Sequence, residues 1–307
     1  MIRCYVIENG RLVESSADSP IQVYIAPTES ESRELIEGLR IDPHNLQSAL
    51  DPDEQGRVEF EEDHLVVILR RPCNYTSADN FLFRTMSTGV FLFKERLVIV
   101  LAKDIALFEG KQTFRISSLA DVVLKLLRVT INHFMGHLKV INMLSDELES
   151  KISHSIENKH LLNMFTLEKS LVYFLNALND NGTVVAKLKN NAAKIGYSGE
   201  QVEILDDLAI DNAQCLTLAQ TYSNILSSLM DARASLVGNN LNVMMKNLNA
   251  IVIAIAVPSF FAGVGGMSEF SAITGLGRWW ISYPLFLLSM GGLGVFTYWL
   301  VKRFEKH

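Results

Sequence analysis

The apolar positions of this chain are concentrated near its C-terminus. From Asn247 to Ser268 no residue is charged, and none is charged from Trp279 to Val301. A helix needs about 20 mostly apolar residues to cross a hydrocarbon core of roughly 30 Å, and both runs meet that length. They predict two transmembrane helices, at about 247–267 and 279–301, joined by a short loop. The alternative, a pair of buried core helices, fits less well, because core helices of this length rarely lack charge altogether.

Upstream the pattern is that of an α/β domain over residues 1–116. Gln22–Ala26 reads as a strand, and Thr28 with Glu31 makes a capping box that opens a helix carrying Leu35, Ile36 and Leu39. His64–Arg70 is rich in β-branched residues and predicts a buried strand. Gly89–Phe93 and Arg96–Ala102 flank Lys94-Glu95 as a hairpin. From Ser117 the apolar residues change to helical spacing, at Leu119, Val122, Val123, Leu126 and Leu127. Helix continues through the 140s and again from His160 to Asn190. The region 117–246 is therefore a helical stalk. A break at Gly196–Gly199 precedes a second capping box, Ser198 with Gln201, and no proline follows until Pro258. One helix of about 67 residues is expected from Glu200 to Gly266, far longer than the globular average. Such a helix needs partners along its length, and copies of itself would serve.

Composition adds direction to this plan. The chain has 307 residues, 20% of them charged, and mean hydropathy is +0.18. The N-terminus carries no long apolar stretch, so no signal peptide is expected and the first 240 or so residues should lie in the cytosol. Lys246 precedes the first span, and Lys302, Arg303 and Lys306 follow the second, in the basic tail 302–307. The loop between the spans has only Arg278. Basic residues favour the cytoplasmic side, so both termini are expected in the cytosol and the hairpin tip outside. The net charge of −6 argues against a nucleic-acid partner. Cys4, Cys73 and Cys215 are far apart and odd in number, which suggests reduced thiols and neither a disulfide framework nor a zinc knuckle.

The most informative positions lie on one side of the long helix. Asp231, Ser235, Gly238, Asn242, Met245, Asn249, Val252, Ala256, Ser259 and Gly263 recur at alternating steps of four and three. This is a heptad seam, but apart from Met245 and Val252 small and polar residues hold it in place of Leu and Ile. Asn249 and Ser259 would be costly against lipid. Two readings follow: a close-packing face between membrane helices, or the lining of an axial pore in an assembly of several copies. Asn at the cytosolic end favours the pore, since amide oxygens can accept hydrogen bonds from the water around a cation.

These segments resemble the CorA-type divalent cation transporters, a two-transmembrane superfamily marked by a Gly-Met-Asn signature. Ile25–Thr28 through His44–Asp51, and Val58 through His64-Leu65, resemble the family's cytosolic domain. Gln220–Asp231 resembles its stalk, and Asn242–Lys246 the start of its first span. Phe261–Ser268 resembles the signature segment, Arg278–Pro284 the start of the second span, and Lys302-Arg303 its basic end. The chain departs from the family at the signature, which reads Gly266-Met267-Ser268, and in the following loop, where Glu269 precedes Phe270–Thr274 in place of an acidic motif. The resemblance implies an α+β membrane protein assembled as a homopentameric funnel in the bacterial inner membrane, in contact with lipid. The pore would be lined by Asn242, Met245, Asn249, Val252, Ala256, Ser259 and Gly263, with Gly266, Met267, Ser268 and Glu269 at the outer mouth. It implies a regulatory divalent cation at Asp207, next to Asp206, and an acid, Asp231, at the cytosolic end. The implied cargo is Mg²⁺ or a transition metal such as Zn²⁺, with no resident cofactor. The other reading is a non-conducting sensor or scaffold that keeps the fold, and the altered signature favours it.

Other chemistry is sparse. His133 and His137 stand four apart on a helix, a spacing that lets two imidazoles share a metal, but no Cys or acid sits a turn away, so a solvated helix face is expected. Asp51–Asp63 holds seven acids in thirteen residues, a solvated loop or a weak cation-sensing surface. No nucleophile elbow, phosphate loop or zinc-hydrolase motif occurs, so no enzymatic activity is expected. Gly291-Gly-Leu-Gly294 lies inside the second span and predicts helix packing.

Overall fold

The computed structural model describes residues 1–15, 19–105, 107–108, 115–154, 158–265 and 279–304. They form two compact units, Met1–Met230 and Asp231–His307.

The first unit is built on a seven-stranded sheet of order β2-β1-β3-β7-β6-β5-β4. The strands are β1 (Ile2–Glu8), β2 (Arg11–Ser15), β3 (Ile21–Ile25), β4 (Arg57–Phe60), β5 (His64–Pro72), β6 (Thr85–Phe93) and β7 (Leu97–Leu101). Only β3 and β7 pair in parallel. Because side chains alternate across a strand, β5 sends Val66 and Ile68 to one face and Leu65, Val67 and Leu69 to the other. All nine residues of β5 are buried, so both faces must be covered. The exposed short helix α1 (Glu29–Arg33) leads into a turn that lays Leu35 on the first face, and Ile41 with Leu46 and Ala49 of α2 (Pro43–Leu50) completes the cover. Gly89 on β6 permits this closeness: a side-chain carbon there would lie 2.4 Å from the Ala49 Cβ. Helices α3 (Leu119–His154), α4 (Asn158–Asn190) and α6 (Gly199–Gly265) share the core on the other face, through Val123, Leu127, Phe134, Leu171, Phe174, Leu205 and Leu208.

Both capping boxes form. Glu31 N–H donates to Thr28 Oγ1 at 3.3 Å and Thr28 N–H to Glu31 Oε2 at 2.7 Å. At the start of α6, Gln201 N–H donates to Ser198 Oγ and Ser198 N–H to Gln201 Oε1. The turn before it is made by α5 (Ala192–Ile195) and by Gly196 at φ +85°, a left-handed conformation that suits glycine. The N-terminal hairpin β1–β2, the edge strand β4 and α2 have no counterpart in the sequence reading. They are short and half-exposed, and their apolar residues show no long period.

The second unit contains the rest of α6 and α7 (Trp279–Phe304). Both helices are long and apolar enough to cross a membrane.

Candidate functional site

The site is a surface of α6, and its geometry follows from how α6 meets α7. Ala250 is 1% exposed, and Ala254, Val257, Pro258 and Ala262 are partly covered. On α7, Phe286, Met290, Leu293, Gly294 and Thr297 are among the partly covered positions. The helices are close at Gly294, where an added Cβ would lie 3.2 Å from the Ala254 carbonyl oxygen and 3.4 Å from Pro258 Cγ. Proline has no N–H, so Pro258 leaves the Ala254 carbonyl without its helical donor. Glycine leaves the space beside that carbonyl that a larger side chain would fill. Of the three span glycines, only Gly294 packs in this way. Gly291 and Gly292 meet nothing within 4 Å among the described residues.

The stripe lies on the opposite side. Each helical residue turns by about 100°, so Val252 and Ala256 point about 200° away from Ala254. Asn242, Met245, Asn249, Val252, Ala256, Ser259 and Gly263 are all exposed. Large apolar residues flank the stripe, among them Leu248, Ile251, Ile255 and Phe260, which are also exposed. The packing seam within the chain is therefore the Ala250–Ala254–Pro258 face, and the heptad stripe takes no part in it. Sequence reasoning missed this second face. Its signal was present in the spacing Ala250, Ala254, Pro258, but alanines in an apolar run do not stand out.

Asp207 and Asp231 are exposed on α6. Asp207 lies in the first unit and Asp231 in the second. Asp206 is ion-paired with Lys189, while Asp207 makes no hydrogen bond or ion pair among the described residues. The outer-mouth residues Gly266, Met267, Ser268 and Glu269 lie outside the described residues. Among the described residues no group of three or more His, Cys, Asp or Glu side chains is placed to hold a metal. In the acidic segment, Glu54 and Glu59 each accept a 2.6 Å hydrogen bond from Arg57, and Asp51 accepts one from Asp53 N–H. Those carboxylates serve the fold. His133 and His137 are half-buried, which overturns the expected solvated face. Arg71, Phe83 and Phe174 surround them, supplied by segments too distant in the chain for helical spacing to foresee.

Known proteins resemble this chain over most of its length. Residues 23–303 match the family model of the CorA-like Mg²⁺ transporter protein. The cobalt/magnesium transport protein CorA of Methanocaldococcus jannaschii is 27% identical over 252 residues, covering 79% of this chain and 77% of that protein. The protein of the same description from Thermotoga maritima is 23% identical over 261 residues, covering 83% and 74%. The complete structure of the M. jannaschii CorA magnesium transporter superposes with a TM-score of 0.74 at 21% identity, over 99% of this chain and 96% of that one.

Proposed function

The chain belongs to the CorA-like Mg²⁺ transporter family, and from that premise we propose that it conducts divalent cations through a pore built by several copies of α6. The observation that carries the proposal is the place of Asn249 and Ser259. Both lie in the charge-free part of α6, and both face away from α7. An amide or hydroxyl in hydrocarbon without a partner costs several kcal/mol. Among the described residues their own chain offers no cover on that side, so other copies and enclosed water must. Five copies around one axis, as the family resemblance implies, bring the seven stripe residues to a common lumen. Asn242 and Asn249 then present amides to the water around a cation, while Val252 and Ala256 narrow and dry the passage. No covalent step is needed, and the absence of His and Cys from the stripe suits weak, hydrated passage of Mg²⁺ over tight ligation of a transition metal.

Ser268 and Glu269 form the outer mouth. A hydroxyl ring is wider than an amide ring, and the Glu269 carboxylates concentrate cations in front of it. Asp207, left open by the pairing of Asp206 with Lys189, takes a regulatory cation together with a carboxylate of a neighbouring copy. Lys246, Lys302 and Arg303 set the cytoplasmic ends of the spans, placing the protein in the cytoplasmic membrane with both termini inside.

Flux into proteoliposomes tests the proposal. Uptake of Mg²⁺ and Co²⁺ is expected, with Ni²⁺ and Zn²⁺ as competitors. No flux of any of the four through a folded pentamer would leave the non-conducting sensor, which the Ser268 signature favours. If flux is present, Ser268→Asn is expected to change the order of cation preference. An unchanged order removes Ser268 from the filter.

A further inference from the structure

One cluster in the first unit lies outside the transport site. His133 and His137 face each other on α3 with their Nε2 atoms 3.1 Å apart, which makes one imidazole the donor and the other the acceptor. The His137 ring meets Phe83 edge-on at 5.3 Å and lies nearly parallel to Phe174 of α4 at 6.1 Å. Phe83 is itself stacked on Tyr75 at 4.0 Å, and Phe174 packs on Phe134 at 5.0 Å. The pair thus sits at a three-way junction of α3, α4 and the segment leading into β6. Beside it is Arg71 of β5, 1% exposed, whose Nε and Nη1 have no hydrogen-bond partner among the described residues.

We propose that the His133–His137 pair is a proton-sensitive latch, holding α3 on Phe83 and Phe174 while both rings are neutral and loosening that junction when a proton arrives. The hydrogen bond between two neutral rings uses one proton and one lone pair. A second proton turns the acceptor into a donor and breaks the bond. It also places a second positive charge next to Arg71, in a site walled by aromatic rings. The groups that face the pair offer no compensation. Arg71 comes from β5, Phe83 and Tyr75 from the segment before β6, and Phe174 from α4. From α6, Cys215 donates to the Ile131 carbonyl on the adjoining turn of α3, and burial pushes its thiol up to about 11, so it stays neutral. Among the described residues no carboxylate acts on either imidazole.

Burial brings both imidazoles down to about 4, with Arg71 adding to the effect at His133 and His133 adding to it at His137. The sign follows. The unfolded chain takes up these protons near the ordinary histidine value of 6.5, and the folded chain does so only near 4. The contribution to stability is complete above about pH 6.5 and falls away as the pH drops toward 4. A metal between the two rings fits less well: Arg71 repels a cation, and the buried Nδ1 of His137 has no acceptor to orient it.

The test compares full chains in detergent between about pH 7.5 and pH 5, where histidine is the ordinary titrating side chain. The variants are the double substitution His133→Gln/His137→Gln, which keeps a donor–acceptor pair without a titrating group, and Arg71→Met, which removes the opposing charge. The wild type is expected to lose melting temperature and amide-exchange protection along α3 as the pH falls. The double variant should lose at least about 5 °C less over the same range, and Arg71→Met should also lose less than the wild type, by a smaller margin. Equal pH slopes in all three chains overturn the proposal, as does a wild type indifferent to pH. A saturable rise in melting temperature with Zn²⁺ or Co²⁺ at fixed pH, absent from the double variant, also overturns it and makes the pair a metal site. If the double variant does not fold, Arg71→Met alone decides by its slope.

Discussion

Single residues settle where this fold closes. Strand β4 ends its pairing with β5 at Arg57 opposite Ile68, which leaves the edge of β5 open just beyond. Asn181 of α4 covers that edge as a neighbouring strand would. Its Oδ1 accepts from Arg70 N–H at 2.9 Å, and its Nδ2 donates to the Arg70 carbonyl at 2.6 Å. Asn181 is 1% exposed, so nothing in solvent replaces those bonds. Asn181→Ala strands two buried backbone groups and is expected to destabilise the first unit by about 2–5 kcal/mol. Thermal or denaturant unfolding of the full chain checks this, and a change below about 0.5 kcal/mol would mean that water has taken the place of the amide. The pairing was not legible in the sequence, because its partners are 111 residues apart. The two capping boxes were legible, because each lies within four consecutive residues whose chemistry is local. The histidine pair falls between these cases: its spacing was visible, but its burial depends on Arg71, Phe83 and Phe174.

At the scale of elements, the charge-free runs identified both spans, since length and lack of charge are properties of each segment alone. The face each span presents depends on its partner, so Gly294 could be recognised as a packing residue in the sequence but its companions Gly291 and Gly292 could not be told from it. The structure separates them by what surrounds Gly294, the Ala254 carbonyl and the Pro258 ring. Gly294→Val must push the helices apart or bend one of them, and overpacking of this kind costs about 1–3 kcal/mol. A lower melting temperature in detergent is expected for Gly294→Val, whereas Gly291→Ala, with open space around it, should leave the value close to wild type. If both variants melt alike, α6 and α7 do not pack through this contact. The soluble elements follow the same division. Strand β5 and the β6–β7 hairpin announce themselves by continuous apolar runs, while β1, β2 and β4 depend on neighbours for their burial and leave no strong pattern.

For the whole molecule, everything turns on what covers the stripe of α6. Three surfaces are available to a helix in a membrane: its own chain, lipid, or another copy with water between them. The first is taken by Ala250, Ala254 and Pro258, on the side away from the stripe. Lipid and lumen make opposite demands on Asn249, and this gives a test that does not depend on seeing the assembly. Facing lipid, the amide is a liability, and Asn249→Leu would raise stability and leave transport unchanged. Facing the lumen, the amide accepts a hydrogen bond from the water shell of a passing cation. Loss of one such bond, about 1.4 kcal/mol at the barrier, slows flux about tenfold. The expected result is therefore a Mg²⁺ flux at least about tenfold below wild type, with unchanged oligomer mass in detergent and a melting temperature no lower than wild type. Ala250→Leu is the matching control on the covered face. It should damage packing with α7, and so lower the melting temperature, in a way that Asn249→Leu does not. A fall in flux that tracks melting temperature across both variants would assign the effect to packing. A fall confined to Asn249→Leu assigns it to the lumen, and with it the reason that a helix of 67 residues carries polar groups into an apolar span.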